Sequence, residues 1–257
     1  MSAHLNWQVA CHIIETLYRQ GVTEIGCGSG ARSSPLVVAA VSHPGIHVQP
    51  ILDERSLAFF MLGKAKSRQS PTVVITTSGT AVANCLPAVI EAHYAKVPLL
   101  ILSADRPSEG HDIGANQSIE QTHIFGKYVG REYQIPAPSP DFSMKWLVSS
   151  IEQAVVQSLD PPMGPIHINT QFRTPLLTQD VINNPSSAFK IDSSLFPQQG
   201  ARTQYWVSQE GMSDTYKNAL LKRVMGAQRG LIIVGDIPVE AGPYILKLAE
   251  RIGWPIM

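Results

Sequence analysis

Cysteine is scarce. Cys11, Cys27 and Cys85 are the three in 257 residues. They are widely spaced and form no CxxC pair, which argues against a disulfide framework or a compact zinc site and fits a reducing compartment. A cytoplasmic location is therefore expected. Charge is sparse and balanced, with 20 Lys+Arg against 20 Asp+Glu. A formal charge of zero leaves no electrostatic footprint for nucleic acid, so an anionic ligand would be held by local groups. No apolar run approaches the roughly 18 residues of a membrane-spanning helix. The opening MSAHLNWQVACHIIETL lacks the basic region and long apolar core of a secretion signal. Strict GxGxxG, GxxxxGK[ST] and GxSxG patterns are missing, so dinucleotide, P-loop and serine-hydrolase fingerprints do not apply.

What is present is apolar and alternating. Hydrophobic residues make up 44% and charged residues 16%, enough for a sizeable core and against wholesale disorder. Residues 6–20 predict a helix, with Asn6 as its N-cap and Gly21 as its stop. VTEIGCG, IHVQPIL, PTVVITTSG, VPLLILSA and PIHINTQF read as strands. Between them, SSPLVVAAVSHP, DERSLAFFMLGKAKSRQ, TAVANCLPAVIEAHYAK and DFSMKWLVSSIEQAVVQSLD read as helices. This alternation, with several strands apolar enough to be covered on both faces, predicts an α/β fold: a three-layer domain around a parallel sheet. Residues 179–200 are rich in Ser, Asn, Pro and Gln without periodicity, which predicts a linker. Residues 201–257 then read as the start of a second α/β domain. It stops as its second strand begins, so truncation or a split gene is the expectation.

Ligands of parallel sheets bind beyond the carboxyl ends of the strands. Four segments fall there: GSGARSSP, DER, TSGT, and DRP followed by GANQ. Each also has an ordinary explanation. Ser33 or Ser34 fits a helix cap, as does Asp53 with Glu54 favouring the helix dipole; Thr77 or Ser78 fits a cap, and Asp105-Arg106-Pro107 fits a turn. Asn116, Glu120 and Gln121 read as capping or solvent-exposed, His43 and His47 as a surface turn around Pro-Gly, and Cys85 as core.

In combination these segments are specific. ARSSP, ILDERSLAFFMLGKAK, VVITTSGTAVANCLPAVIEAHYAKVPLLILSADRP and GANQSIEQ, in this order and spacing, resemble the thiamine-diphosphate enzymes, and among them the synthases of menaquinone biosynthesis. The resemblance is strongest over residues 7–178. It implies a pyrimidine-binding domain at 1–178, a linker at 179–200 and the beginning of a central domain at 201–257. It further implies thiamine diphosphate as cofactor, with Mg²⁺ held by a diphosphate-binding domain on the same or another chain; GDI at 235–237 is not that domain's motif. Glu54 matches the glutamate that shares a proton with the aminopyrimidine ring. Ser78, Gly79, Thr80, Asn84 and Gln117 match positions near the cofactor, Gln117 also near substrate. Arg32 and Arg106 match positions that hold substrate carboxylates, where a guanidinium fork suits a dicarboxylate. The implied reaction decarboxylates 2-oxoglutarate and adds the product to isochorismate, in a homodimer or homotetramer. Ala31 and Ser29 stand where the family has serine and proline. Two other readings are a carboligase of the acetolactate synthase type and a non-catalytic stand-alone domain.

Overall fold

The computed structural model describes residues 2–198, 200, 202, 203, 205, 211–237 and 239–257. Gln199, Ala201, Gln204, Pro238 and the span 206–210, which belong to the expected linker and second domain, lie outside the described residues, as does Met1. The chain divides into two compact units, Met1–Tyr205 and Trp206–Met257.

The first unit runs α1 (Ser2–Arg19), β1 (Glu24–Cys27), α2 (Ser34–Ser42), β2 (His47–Pro50), α3 (Glu54–Arg68), β3 (Thr72–Thr76), α4 (Thr80–Ala83), α5 (Leu86–Ala95), β4 (Leu99–Asp105), β5 (Glu132–Ile135), α6 (Met144–Leu159), β6 (Ile166–Gln171), α7 (Gln179–Asn183) and α8 (Pro185–Ala188). Six described strands form one sheet in the order β2-β1-β3-β4-β6-β5, and every pairing is parallel.

The strand period of two divides the apolar residues between two cores. Val73 and Ile75 of β3, with Leu100, Leu102 and Ala104 of β4, face α1, α2 and α6. Val74, with Leu99 and Ile101, faces α3 and α5 through Leu57, Met61, Ala88 and Val89. Burial on both faces is why β3 and β4 read as continuous apolar runs.

Several local expectations change. α1 begins at Ser2 rather than at Asn6. Asn6 is fully buried, and its Nδ2 donates to the carbonyls of Arg173 and Pro175 at 2.7 and 3.1 Å. It ties the first helix to the segment after β6 instead of capping. The helix expected at 80–96 is interrupted at Asn84-Cys85, and α5 starts afresh with Pro87 in its first turn, where proline's missing N–H costs nothing. β5 was not anticipated: EYQI is an edge strand, only Ile135 of it is buried, and its polar residues carry no strand signal. His43 is buried rather than on the surface, meeting Glu15 Oε2 at 3.1 Å under the Tyr18 ring. The stretch expected as a linker folds back on the first unit. The Trp7 indole N–H donates to Ala188 O at 2.8 Å, and the Asp192 N–H donates to His12 Nε2 at 3.0 Å. The boundary between compact units therefore falls after Tyr205.

In the second unit, α9 (Asp214–Gly226) is capped by Ser213, and α10 (Gly242–Ile252) ends at Gly253 with φ 70°. Ile232 and Ile256 form a parallel bridge. The bridge brings the residues before and after α10 side by side; no strand is assigned to this unit among the described residues.

Carboxylates pinned by cations make the first unit acid-sensitive. His43, the largest influence, holds Glu15 below the ordinary carboxylate value, and Arg19 adds to it. Burial pushes Glu24 up, but Lys64, His47 and Arg68 outweigh it and leave it lowered. A lowered folded-state pKa contributes stability that is present above the unfolded value and lost as pH falls through the folded one. Asp105, raised by burial, acts in the opposite sense. The expected result is a melting temperature that drops by several degrees as pH falls below the ordinary glutamate value of 4.5. Glu24→Gln should flatten that acid limb in a calorimetric pH series.

Candidate functional site

Because all six strands are parallel, their carboxyl ends meet on one edge, and the loops leaving β1, β2, β3 and β4 converge there. They enclose a cleft of about 380 Å³ lined by Ser29, Glu54, Thr77, Ser78, Gly79, Thr80, Asn84 and Gln117, among others. The expected cofactor residues Glu54, Ser78, Gly79, Thr80, Asn84 and Gln117 thus share one cavity.

Each is placed for a local reason. Asp53 caps α3, accepting the Ser56 N–H at 2.7 Å, and this sets Glu54 in the first helical turn. Glu54 leans over Gly28, where an added Cβ would lie 3.3 Å from Glu54 Cγ. Asn84 Nδ2 stands 3.4 Å from Glu54 Oε2. Gly79, at φ 86°, starts α4. Its positive φ suits glycine, and a Cβ there would press to 3.3 Å on Gln117 O. Ser78 Oγ donates to that same carbonyl at 2.9 Å, so the β3–α4 turn and the GANQ segment are stitched together. Cys85 is buried behind Glu54, and burial, reinforced by the Glu54 charge, pushes its thiol up to about 12. It is core, as expected, and inert as a nucleophile.

Arg32 and Arg106 lie outside this lining. They are close enough for their charges to act on each other: burial first, then Arg106, lowers the Arg32 pKa, while Asp105 raises it. Arg32 Nη1 donates to Phe172 O at 2.8 Å, which fixes the guanidinium near the end of β6. The Arg106 N–H donates to Asp105 Oδ1 at 2.7 Å at the end of β4. Ser33 does not cap α2 with its side chain; its hydroxyl donates to Gly30 O at 3.1 Å.

A residue behind the cleft was also misjudged from sequence. Gln121, expected to be a cap or exposed, is fully buried. Its Oε1 accepts the Gly79 N–H at 2.8 Å, and its Nε2 donates to Asn169 Oδ1 at 2.7 Å and Ala104 O at 3.2 Å. Nothing local distinguishes it from its polar neighbours.

The cleft fits one end of a flat, nitrogen-bearing heterocycle. It offers a carboxyl, two side-chain amides, hydroxyls and one glycine, Gly79, whose missing Cβ leaves room for the Gln117 carbonyl. Its lining has no Lys or Arg that could hold a diphosphate. Among the described residues, no group of three or more His, Cys, Asp or Glu could hold a metal ion. No helix there is long and apolar enough to cross a membrane.

Residues 8–124 match the thiamine pyrophosphate enzyme family, N-terminal TPP binding domain. The 2-succinyl-5-enolpyruvyl-6-hydroxy-3-cyclohexene-1-carboxylate synthase of Rubrobacter xylanophilus is 38% identical over 246 residues, covering 95% of this chain and 42% of that protein. The synthase of the same name from Chloroflexus aurantiacus is 38% identical over 263 residues, covering 100% and 43%. That of Bacillus velezensis is 39% identical over 251 residues, covering 95% and 41%. The chain thus spans about two-fifths of the length of these relatives. In fold it is similar to a thiamine diphosphate-dependent 4-hydroxybenzoylformate decarboxylase from Rhodococcus jostii, with a TM-score of 0.75 at 15% identity, over 97% of this chain and 44% of that one. By these matches residues 8–124 belong to the thiamine pyrophosphate enzyme family's N-terminal domain, and the chain is similar along nearly its whole length to part of the 2-succinyl-5-enolpyruvyl-6-hydroxy-3-cyclohexene-1-carboxylate synthases.

Proposed function

We propose that this chain supplies the pyrimidine-binding half of a 2-succinyl-5-enolpyruvyl-6-hydroxy-3-cyclohexene-1-carboxylate synthase, which decarboxylates 2-oxoglutarate and joins the product to isochorismate. The observation that carries this reading is the single cleft that gathers Glu54, Ser78, Gly79, Thr80, Asn84 and Gln117. Bound thiamine diphosphate supplies the nucleophilic carbon and the electron sink that decarboxylation needs. Glu54 holds or releases a proton at its carboxyl, facing a ring nitrogen. The Ser78-Gly79-Thr80 turn would present hydroxyls and backbone to the ring, and Gln117 an amide to cofactor and substrate without adding charge. Arg32 and Arg106 bind substrate carboxylates, concentrating positive charge in a chain whose net charge is zero.

In this reading residues 1–178 serve as the pyrimidine-binding domain, 179–200 as the connecting segment and 201–257 as the beginning of a central domain. A cleft lining without Lys or Arg supports assigning the diphosphate and Mg²⁺ to another domain, on the same or another chain. The enzyme would then be a cytoplasmic homodimer or homotetramer. The test is turnover of 2-oxoglutarate and isochorismate, with thiamine diphosphate and Mg²⁺, by the 257-residue chain alone and by the chain completed with a diphosphate-binding portion. The chain alone is expected to be inactive and to hold the cofactor weakly; the completed protein is expected to turn over. Turnover by the chain alone would refute the division of the site. Inactivity of the completed, folded protein would refute the assigned reaction.

A further inference from the structure

Behind the cleft lies a chain of buried side chains whose polarity runs in one direction. It begins at Asp105, the last residue of β4, with a side chain 1% exposed. Both carboxyl oxygens of Asp105 accept hydrogen bonds. Asn169 of β6 therefore turns its Nδ2 toward Asp105 Oδ2, at 2.9 Å. That same nitrogen donates to Gln134 Oε1 at 3.0 Å. Asn169 Oδ1 is left to accept, and it receives Ser103 Oγ and Gln121 Nε2, each at 2.7 Å. All four hydrogen-bonding positions of this buried amide are filled. With its nitrogen committed to Asn169 Oδ1 and Ala104 O, Gln121 can only present Oε1 to the Gly79 N–H. The other oxygen of Asp105 receives the Arg106 N–H at 2.7 Å. One buried carboxylate thus orients the backbone of the substrate-side arginine directly and the cofactor-side turn through two amides.

We propose that Asp105, Asn169 and Gln121 form a directional hydrogen-bond relay that positions the Gly79 turn of the cofactor cleft and couples it to Arg106. None of the three lines the cleft, so they are positioning residues. Their role rests on the proposed pyrimidine-binding function of that cleft. The geometry requires direction as well as packing. Exchanging which partner donates should break the relay even where volume is unchanged, and exchanging both ends should restore it. Titratable and charged groups around Asp105 are His111, whose Nε2 lies 3.7 Å from Oδ2, together with Glu120 and Arg32.

The first readout is amide hydrogen exchange of Gly79 in the 257-residue chain by NMR. Gln121→Met keeps the volume and removes the acceptor, and should speed Gly79 exchange by about tenfold, the scale of one lost hydrogen bond. Asn169→Asp sets two carboxylates against each other and should do the same. The swap Asp105→Asn with Asn169→Asp lets the new amide at the end of β4 donate to the new carboxylate on β6. That carboxylate still accepts from Gln121 and, once the Gln134 amide turns over, from Gln134, so the swap should recover most of the Gly79 protection. The second readout is the affinity of the completed enzyme for thiamine diphosphate, expected to fall about tenfold in each single variant and to recover in the swap. Unchanged Gly79 exchange in Gln121→Met, a swap no better than Asn169→Asp, or faster exchange with unchanged cofactor affinity would each overturn the relay. If the unaltered completed enzyme bound no thiamine diphosphate, the functional reading would fail while the Gly79 exchange results still stood.

Discussion

Glu54→Gln is expected to lower turnover of the completed enzyme by about 10²–10⁴-fold, the usual contribution of a positioned proton-transfer group, while the fold survives. The geometry separates these effects. Glutamine has nearly the same volume and fits the same space over Gly28. The capping of α3 belongs to Asp53 and is untouched. The stability cost is the loss of one acidic side chain from a first helical turn, about 0.3–1 kcal/mol. What disappears is the exchangeable carboxyl proton, which an amide cannot replace. Saturating cofactor should therefore not rescue the variant: kcat falls even where binding is complete. Circular dichroism melting, together with single-turnover decarboxylation at saturating thiamine diphosphate, measures both. A kcat near that of the unaltered enzyme would remove Glu54 from the chemistry.

The place of Glu54 at a strand-to-helix junction was legible in the sequence because that junction is local, whereas its proposed role came from the family resemblance. Asp53, Glu54 and the helix behind them lie within one turn, and a strand-to-helix junction in a parallel fold points to the ligand edge. β3 and β4 were legible for a similar reason, since strands covered on both faces leave uninterrupted apolar runs. Other features depend on partners distant in sequence. Asn6 is set by carbonyls beyond β6, His43 by Glu15, and Gln121 by Gly79 and Asn169. A buried amide and an exposed one have the same sequence signature until the chain that surrounds them is known. β5 escaped for a different reason: an edge strand with mostly polar residues satisfies half of its backbone through β6, and its side chains need no alternation.

Gly30→Ala is expected to be the most damaging small substitution at the cleft. An added Cβ would lie 2.2 Å from Thr77 Cβ and within 2.6 Å of its Cγ2 and Oγ1. Thr77 cannot swing aside, because the clashing Cβ is bonded directly to the backbone at the end of β3. Either the β1–α2 turn or the β3–α4 turn must move. Overpacking of this kind costs about 1–3 kcal/mol, measurable as a lowered denaturation midpoint. The functional cost should be larger. Both turns line the cleft through Ser29 and Thr77, and the first also carries Arg32. A displacement of about 1 Å at such a site can cost about 10²-fold in rate. The clash also supplies its own control. Thr77→Gly removes the opposing Cβ, so the double variant should recover activity relative to Gly30→Ala, with a favourable coupling in the double-mutant cycle. Strict additivity of the two substitutions, or a Gly30→Ala protein with an unaltered midpoint and turnover, would show that the turns are not held apart by this contact.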